Sequence, residues 1–421
     1  MGYLKNLREE EKEMSKYDSY FLMSVEDAAE YVKEKLPSFQ KGAVLSCQEI
    51  GDGNLNYVFR VKDARTGTSI IVKQAGEETR ISREMKLSTD RGRIESRILR
   101  LQAQSAPGMV PAVYLYDGVM CTMLMEDMDG HTMMRTGLMN HEIYPLFGEQ
   151  ITDFLVNSLL DSTDVVMDHK AKKERVREFI NPDLCEISEN LVYSEPYVDY
   201  NHRNNIFLPN ADFIEKEIYE DKELRLEAAK LKFEFMNHAQ ALIHGDLHTG
   251  SVFINQEHLF VFDPEFAFYG PMGYDVGNII ANLFFAWCNG DAVIESEGER
   301  EKFCGWVLQT IGEIVDKFIV KFKEAFMKRV TDLMAKTEGF LDYYLDSVLS
   351  DTAAAAGLES IRRIVGMANV KDITAISNEG KRVRAERIIL TLAKDYVKNR
   401  SSFKCGKDYL EAIERAVSRF R

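Results

Sequence analysis

The chain has 421 residues and a formal net charge of −15, with 45% hydrophobic and 29% charged residues. The acidity argues against nucleic acid as a partner, because phosphate backbones demand a basic footprint, and the composition is that of a soluble globular protein with room for two or three lobes. No apolar run approaches the roughly 20 residues of a membrane span, the charged residues 1–16 hold no signal-peptide core, and six scattered cysteines (Cys47, Cys121, Cys185, Cys288, Cys304 and Cys405) without a C-x-x-C pair fit a reduced, cytoplasmic protein with free thiols.

Taken in order, the spacing predicts an amphipathic helix over about 24–36, with Ser24 as N-cap and Asp27 at its third position. A turn at Gly51-Asp52-Gly53-Asn54, a strand over 57–61, a turn over 63–67 and a returning strand over 69–73 follow, so Lys73 stands at a strand end. Residues 91–104 have helical spacing, with Ile94, Ile98 and Leu101 on one face and Glu95 inside that pattern. An apolar strand over 120–125 is broken by Glu126-Asp127-Met128-Asp129-Gly130. From Tyr144 onward the chain is mostly helical. Residues 193–210, with two prolines and four asparagines, read as a loop and a candidate substrate wall.

Leu224, Ala228, Leu231, Phe235, Ala239 and Leu242 recur at helical spacing, and that helix leads straight into Ile243-His244-Gly245-Asp246-Leu247-His248-Thr249-Gly250-Ser251. The short run Leu259-Phe260-Val261-Phe262 suits a buried strand, and Asp263 and Glu265 emerge at its end in a turn stiffened by Pro264. Three carboxylates this close repel one another. They are tolerable if a divalent cation neutralises two and the third works as a base, and hard oxygen ligands select Mg²⁺ or Mn²⁺. A loop aspartate ahead of a metal-binding aspartate suits phosphoryl transfer to a hydroxyl. His244 and His248 read as structural hydrogen-bonders under the loop, against the rival of a soft-metal cage in a hydrolase.

Beyond Gly270-Pro271, Val276, Ile279, Ile280, Leu283, Phe284 and Trp287 mark a helix face, with Asp275 at its start placed to brace the loop through main-chain amides. Residues 292–302 are a solvated charge run, and the remainder is helical. One of these helices passes the alanines at 353–356 and reaches Arg362-Arg363. Adjacent helical residues point about 100° apart, so the two arginines cannot be equally exposed on one face, and at least one is expected to border the apolar neighbours.

H-G-D-L-H at 244–248 followed by D-P-E at 263–265 resembles the aminoglycoside-phosphotransferase-like small-molecule kinases, relatives of the protein kinases. The longer strings 244–251 and 263–271, with the arginine pair, are similar to the methylthioribose kinase branch. The resemblance implies an α+β, two-lobed protein-kinase-like fold: an N-terminal nucleotide-binding lobe over 1–127 with an antiparallel sheet, and a larger, mainly helical C-terminal lobe over 128–421. It implies ATP as co-substrate and Mg²⁺ as cofactor. Asp246 would orient the acceptor hydroxyl and take its proton. Asp263 and Glu265 would hold the metal, with Asn56, Lys73 and Pro264 also at the nucleotide. Glu126, Asp127 and Met128 would present main chain to the adenine, and Arg362 and Arg363 would grip the acceptor. Lys73 would pair with Glu95 or, less favoured, Glu84. The implied acceptor is the 1-hydroxyl of 5-methylthioribose, giving the 1-phosphate in methionine salvage, with a choline, aminoglycoside or other sugar acceptor as the alternative. The implied assembly is a homodimer. Two features depart from the wider superfamily: there is no G-x-G-x-x-G, and Ser251 stands where a metal-binding asparagine is common.

Overall fold

A computed structural model of the chain describes residues 15–39, 42–50, 56–76 and 87–421. Two compact units result, Met1–Arg93 with Val113–Asp127 and Ile94–Ala112 with Met128–Arg421. The glycine turn at 51–54 and Glu84 lie outside the described residues.

The first unit is built on an antiparallel sheet of β1 (Leu45–Glu49), β2 (Asn56–Asp63), β3 (Ser69–Ala75), β4 (Val113–Asp117) and β5 (Thr122–Glu126), in the order β1-β2-β3-β5-β4. Alternate residues Phe59, Val61, Ile70 and Val72 meet Ala28, Tyr31 and Val32 of the helix Val25–Lys35 in one core. That helix starts as the sequence predicts, with a reciprocal cap between Ser24 and Asp27 at 3.2 and 3.0 Å. The β2–β3 turn is held by the Asp63 carboxylate, which accepts from the amides of Val44 and Arg65. β3 extends two residues past Lys73, which pairs with Val58 and Met123 inside the sheet instead of ending a strand.

The second unit is mostly helical, with two small sheets at its heart. β6 (Thr132–Met133), β8 (Val252–Ile254) and β9 (Leu259–Val261) form one, and β7 (Ala241–Ile243) pairs antiparallel with β10 (Phe268–Gly270) in the other. The helix expected to run to Leu242 stops at Asn237. Ala241-Leu242-Ile243 fits a helix face or a short buried strand equally well from sequence, and pairing with β10 decides for the strand. The stretch 193–210 is likewise less open than its composition predicts, containing a turn of helix at Glu195–Val198 with Glu195 and Tyr197 buried. Among the described residues, no helix is long and apolar enough to cross a membrane, and all six cysteines are unpaired.

Three long helices fix the arginine pair in place. The helix Gly273–Val293, buried over nearly its whole length, lies against Phe340–Ile364, which lies in turn against Glu379–Lys398. The contacts are made through small residues. A Cβ on Gly277 would stand 2.4 Å from the Thr352 carbonyl oxygen, one on Gly273 would stand 2.6 Å from the Thr352 amide, and one on Gly357 would stand 2.6 Å from the Ala393 carbonyl oxygen. The alanines at 353–356 face this crowded seam, all buried. Gly277→Ala is therefore expected to destabilise the protein by about 1–3 kcal/mol through overpacking, despite the roughly 1 kcal/mol gain in helix propensity. Denaturant unfolding measures it, and an unchanged midpoint would show that the helices part freely.

Candidate active site

The loop after β7 is shaped by its glycine and braced from below. Gly245 has φ +84°, and a Cβ there would lie 2.4 Å from the Phe266 carbonyl oxygen, so only glycine fits. The Asp275 carboxylate accepts from the amides of His244 at 2.7 Å and Gly245 at 3.0 Å, as its position ahead of the apolar helix face predicts. Burial raises the Asp275 carboxyl above its ordinary range, opposed by His244 and those amides. His244, fully buried, bridges underneath with Nε2 2.9 Å from the Phe262 carbonyl oxygen. It is the structural hydrogen-bonder expected. Ser251 is committed to the loop as well, its hydroxyl 3.0 Å from both the Asp246 carbonyl oxygen and Nδ1 of His248.

Asp246 projects from this braced loop into a cationic surround. Its Oδ1 is 3.1 Å from Arg362 and 3.8 Å from Arg363, and its Oδ2 is 3.4 Å from Nε2 of His248. His248 is thus more than a prop. Its Nδ1 accepts from the Gly250 amide at 3.1 Å, which leaves the ring proton on Nε2, facing the carboxylate. Burial opposes ionisation of Asp246, but His248, Arg362 and Arg363 outweigh it and hold the carboxyl well below the usual carboxylate range. Burial also lowers the His248 pKa, against the pull of Asp246. A small cavity of about 40 Å³ adjoins Asp246, lined among others by Ile187, Ser188, Leu191, Phe266, Tyr274 and Arg362. Its apolar wall comes from the helix Pro182–Leu191 and the residue after it.

Both arginines are largely enclosed, at 12% and 11% side-chain exposure, so not one alone but both border buried neighbours. The reason is Glu359, three and four residues earlier and 1% exposed. Arg362 pairs with one of its oxygens and Arg363 with the other, the latter at 2.9 Å, so one carboxylate draws both guanidinium groups to the same side of the helix. Asn282 supports Glu359 at 3.3 Å and accepts from Arg135 at 3.2 Å. Burial opposes the Glu359 charge, but the two arginines pull its carboxyl down to about 2. Glu359 and Arg135 are the residues the sequence reading passed over, and His248 stands closer to the Asp246 carboxylate than its reading as a loop prop implied. The spacing of Glu359 to both arginines was legible, whereas Arg135 is far away in sequence.

A second cluster is purely acidic. Carboxylate oxygens of Glu95, Asp263 and Glu265 all lie within 4.8 Å of one another, with Glu95 and Glu265 buried. Asp263 takes φ +66°, a left-handed conformation rare for residues other than glycine, asparagine and aspartate. The Asn181 amide ties the turn by donating to the carbonyl oxygens of Glu265 and Ala267. Three converging carboxylates with oxygen donors only fit a hard divalent cation. In the first unit, Asn56 and Lys73 lie on β2 and β3, Glu126 ends β5, and Asp127 is paired with Arg60 at 2.8 Å.

The comparisons with known proteins agree with this chemistry. Residues 46–302 match the model of a phosphotransferase enzyme family, APH. The chain is 37% identical over 384 residues to the methylthioribose kinase of Geobacillus sp. (strain WCH70), spanning 91% of this chain and 93% of that protein. It is 36% identical over 400 residues to the methylthioribose kinase of Bacillus velezensis (strain DSM 23117 / BGSC 10A6 / LMG 26770 / FZB42), spanning 95% and 98%. The chain belongs to the methylthioribose kinase family. Membership makes it a kinase, using ATP and a divalent metal, with the α+β fold that the sequence predicts: an antiparallel five-stranded sheet in the N-terminal part and a mainly helical remainder.

Loss of Glu359 should be costly, because it leaves two buried guanidinium groups without their main counter-charge. Glu359→Gln is expected to destabilise by about 3–5 kcal/mol at pH 7. The pH dependence has a definite sign. Glu359 falls from an ordinary 4.5 to about 2, so its contribution is present above pH 4.5 and is lost as pH falls toward 2. Urea unfolding across that interval should show the variant losing less stability with acid than the wild type, and parallel curves would contradict the pairing.

Proposed function

We propose that the protein transfers the γ-phosphoryl group of ATP to the 1-hydroxyl of 5-methylthioribose, giving 5-methylthioribose 1-phosphate for methionine salvage. The observation carrying this reading is the Asp246 carboxylate held between Arg362 and Arg363. Two guanidinium groups repel a cationic acceptor such as choline or an aminoglycoside, and they donate hydrogen bonds to the hydroxyls of a neutral sugar.

Asp246 accepts a hydrogen bond from the 1-hydroxyl and aligns its oxygen with the γ-phosphorus. The sugar oxygen then bonds to phosphorus, the β,γ-bridging oxygen leaves with its electron pair, and the hydroxyl proton passes to Asp246. The depressed pKa of Asp246 keeps it ionised, at a cost in basicity. A weak base suffices where the transition state is loose and positioning does most of the catalysis. Arg362 and Arg363 stabilise charge on the transferring group. Asp263 and Glu265, with Glu95 beside them, would hold Mg²⁺, which neutralises charge on the ATP phosphates. By resemblance, Lys73 takes the α- and β-phosphates, Asn56 and Pro264 contact the nucleotide, and the main chain of Glu126, Asp127 and Met128 takes the adenine edge. The reading includes a cytoplasmic homodimer, supported by the unpaired cysteines and by exposed Met327, Leu333, Met334 and Tyr343.

Initial rates with ATP across methylthioribose, ribose, choline and kanamycin test the acceptor, with the product identified by its phosphorus spectrum. Methylthioribose is expected to be the best acceptor, and Asp246→Asn to lower kcat by roughly 10²-fold or more while calorimetric ATP binding persists. A better rate with choline or kanamycin would replace this reading with another small-molecule kinase. Glu265→Gln is expected to raise the Mg²⁺ needed for half-maximal rate far more than it changes the sugar KM, and an unchanged metal curve would reduce Glu265 to a turn residue.

A further inference from the structure

A third guanidinium stands behind the catalytic loop. Arg135 lies on the short helix Met134–Met139, which packs against the turn Thr249–Ser251 and the helix Gly273–Val293. Its Nη2 donates to Oδ1 of Asn282 at 3.2 Å. The orientation of that amide is fixed from its other end, because Nδ2 of Asn282 donates to the Asn278 carbonyl oxygen at 2.9 Å as well as to Glu359. Nε of Arg135 lies 3.6 Å from Oδ2 of Asp372, and both atoms are buried without a hydrogen-bond partner among the described residues. A buried charge this loosely bonded costs stability, and proteins break such rules mainly at functional sites.

The remaining nitrogen, Nη1, lies beside the imidazole of His248. A Cβ on Gly250 would sit 3.2 Å from Nη1 and 3.0 Å from Nδ1 of His248, so the guanidinium and the ring flank one gap that the missing side chain leaves open. The Gly250 amide donates to Nδ1, and an amide can only donate. The ring is therefore neutral, with its one proton on Nε2, 3.4 Å from Oδ2 of Asp246. A competing state is built into the same turn. The Ser251 hydroxyl donates to the Asp246 carbonyl oxygen, and its own oxygen stands 3.0 Å from Nδ1, placed to accept from a ring that carries a second proton.

The charges around the ring decide between the two states. Asp246, on its own loop, favours a protonated imidazole, whereas Arg135 from the helix Met134–Met139 and Arg363 from the helix Phe340–Ile364 oppose it, as burial does. The helix Gly273–Val293 presents Asp275 to the amides of His244 and Gly245, and Asn282 to Arg135. Arg363 is engaged by Glu359 and Asp246, and Arg135 is the cation beside Nδ1, the atom that takes the second proton. We propose that Arg135 is a positioning residue of the phosphoryl transfer: its charge keeps His248 neutral, so that the ring gives Asp246 a hydrogen bond and no ion pair. The carboxylate then keeps its charge for the acceptor hydroxyl. A protonated His248 would add a cation to Arg362 and Arg363 and make Asp246 a still weaker base. The effect on rate rests on the kinase reading above, and the effect on the ring does not.

Imidazole ¹⁵N resonances of the full-length protein, without substrates, read the ring directly, with His248 assigned by its absence in His248→Gln. In the wild type the ring should be neutral and protonated on Nε2 at pH 7, with a midpoint below the ordinary value of about 6.5, a readout that needs no other variant. Arg135→Met should raise that midpoint by about one unit, the lower end of what a charge a few ångströms away does, and Arg135→Lys, which keeps the charge, should raise it by less. In turnover with ATP and methylthioribose, the acidic limb of kcat should move upward by the same amount in Arg135→Met, and adding Arg135→Met to His248→Gln should leave the limb where His248→Gln puts it. A wild-type ring doubly protonated at pH 7, a midpoint unmoved in Arg135→Met, or a limb that moves equally without His248 overturns the proposal. If methylthioribose is not phosphorylated, the acceptor reading falls, while the ring titration still decides for or against Arg135.

Discussion

One buried carboxylate governs the catalytic face of the molecule. Glu359 is almost fully enclosed and carries its charge only because Arg362 and Arg363 surround it. Each arginine in turn has donors left over after satisfying Glu359, and those donors reach Asp246. Charges in a dry interior are tolerated only in compensated sets, so Glu359 and Asp246 are set against Arg362 and Arg363, with His248 beside Asp246. The acidity of Asp246 follows from membership in this set, not from any property of the loop itself.

The set is completed by elements far apart in the chain, which requires close helix packing. Glycines at 273, 277 and 357 let backbones approach where any side chain would collide. That approach sets how far the arginines stand from the loop, which Asp275 anchors through the first turn of the same glycine-bearing helix. A fraction of an ångström gained or lost at the seam is passed to the guanidinium groups, because packed interiors transmit displacement instead of absorbing it.

The parts legible from sequence were those where local chemistry decides. The Ser24 cap, the strands β2, β3 and β5, the Asp275 brace and the acids at 263 and 265 each depend on near neighbours in the chain. What sequence periodicity could not supply was tertiary. Leu242 fits a helix face as well as a strand, and only pairing with β10 selects between them. The offset of Arg362 and Arg363 predicted that at least one is enclosed; that both are follows from one carboxylate drawing two long flexible side chains to it. His248 looked like a loop prop because its distance to Asp246 is set by the fold of a tight turn. Glu95 reads as part of an amphipathic helix, and its nearness to Asp263 and Glu265 becomes visible only when the second unit is folded.

The left-handed backbone at Asp263 narrows what can ever occupy that position. Glycine, asparagine and aspartate are at ease there, and of these only aspartate bears a charge. Glutamate, which would keep the charge, is disfavoured by conformation before its extra length is considered. The identity of this acid is therefore guarded twice, once by the ligand it offers and once by the shape of the chain. A lineage that drifted at this position while keeping its fold would pass most readily to asparagine or glycine, and so lose the charge in a single step with the turn intact.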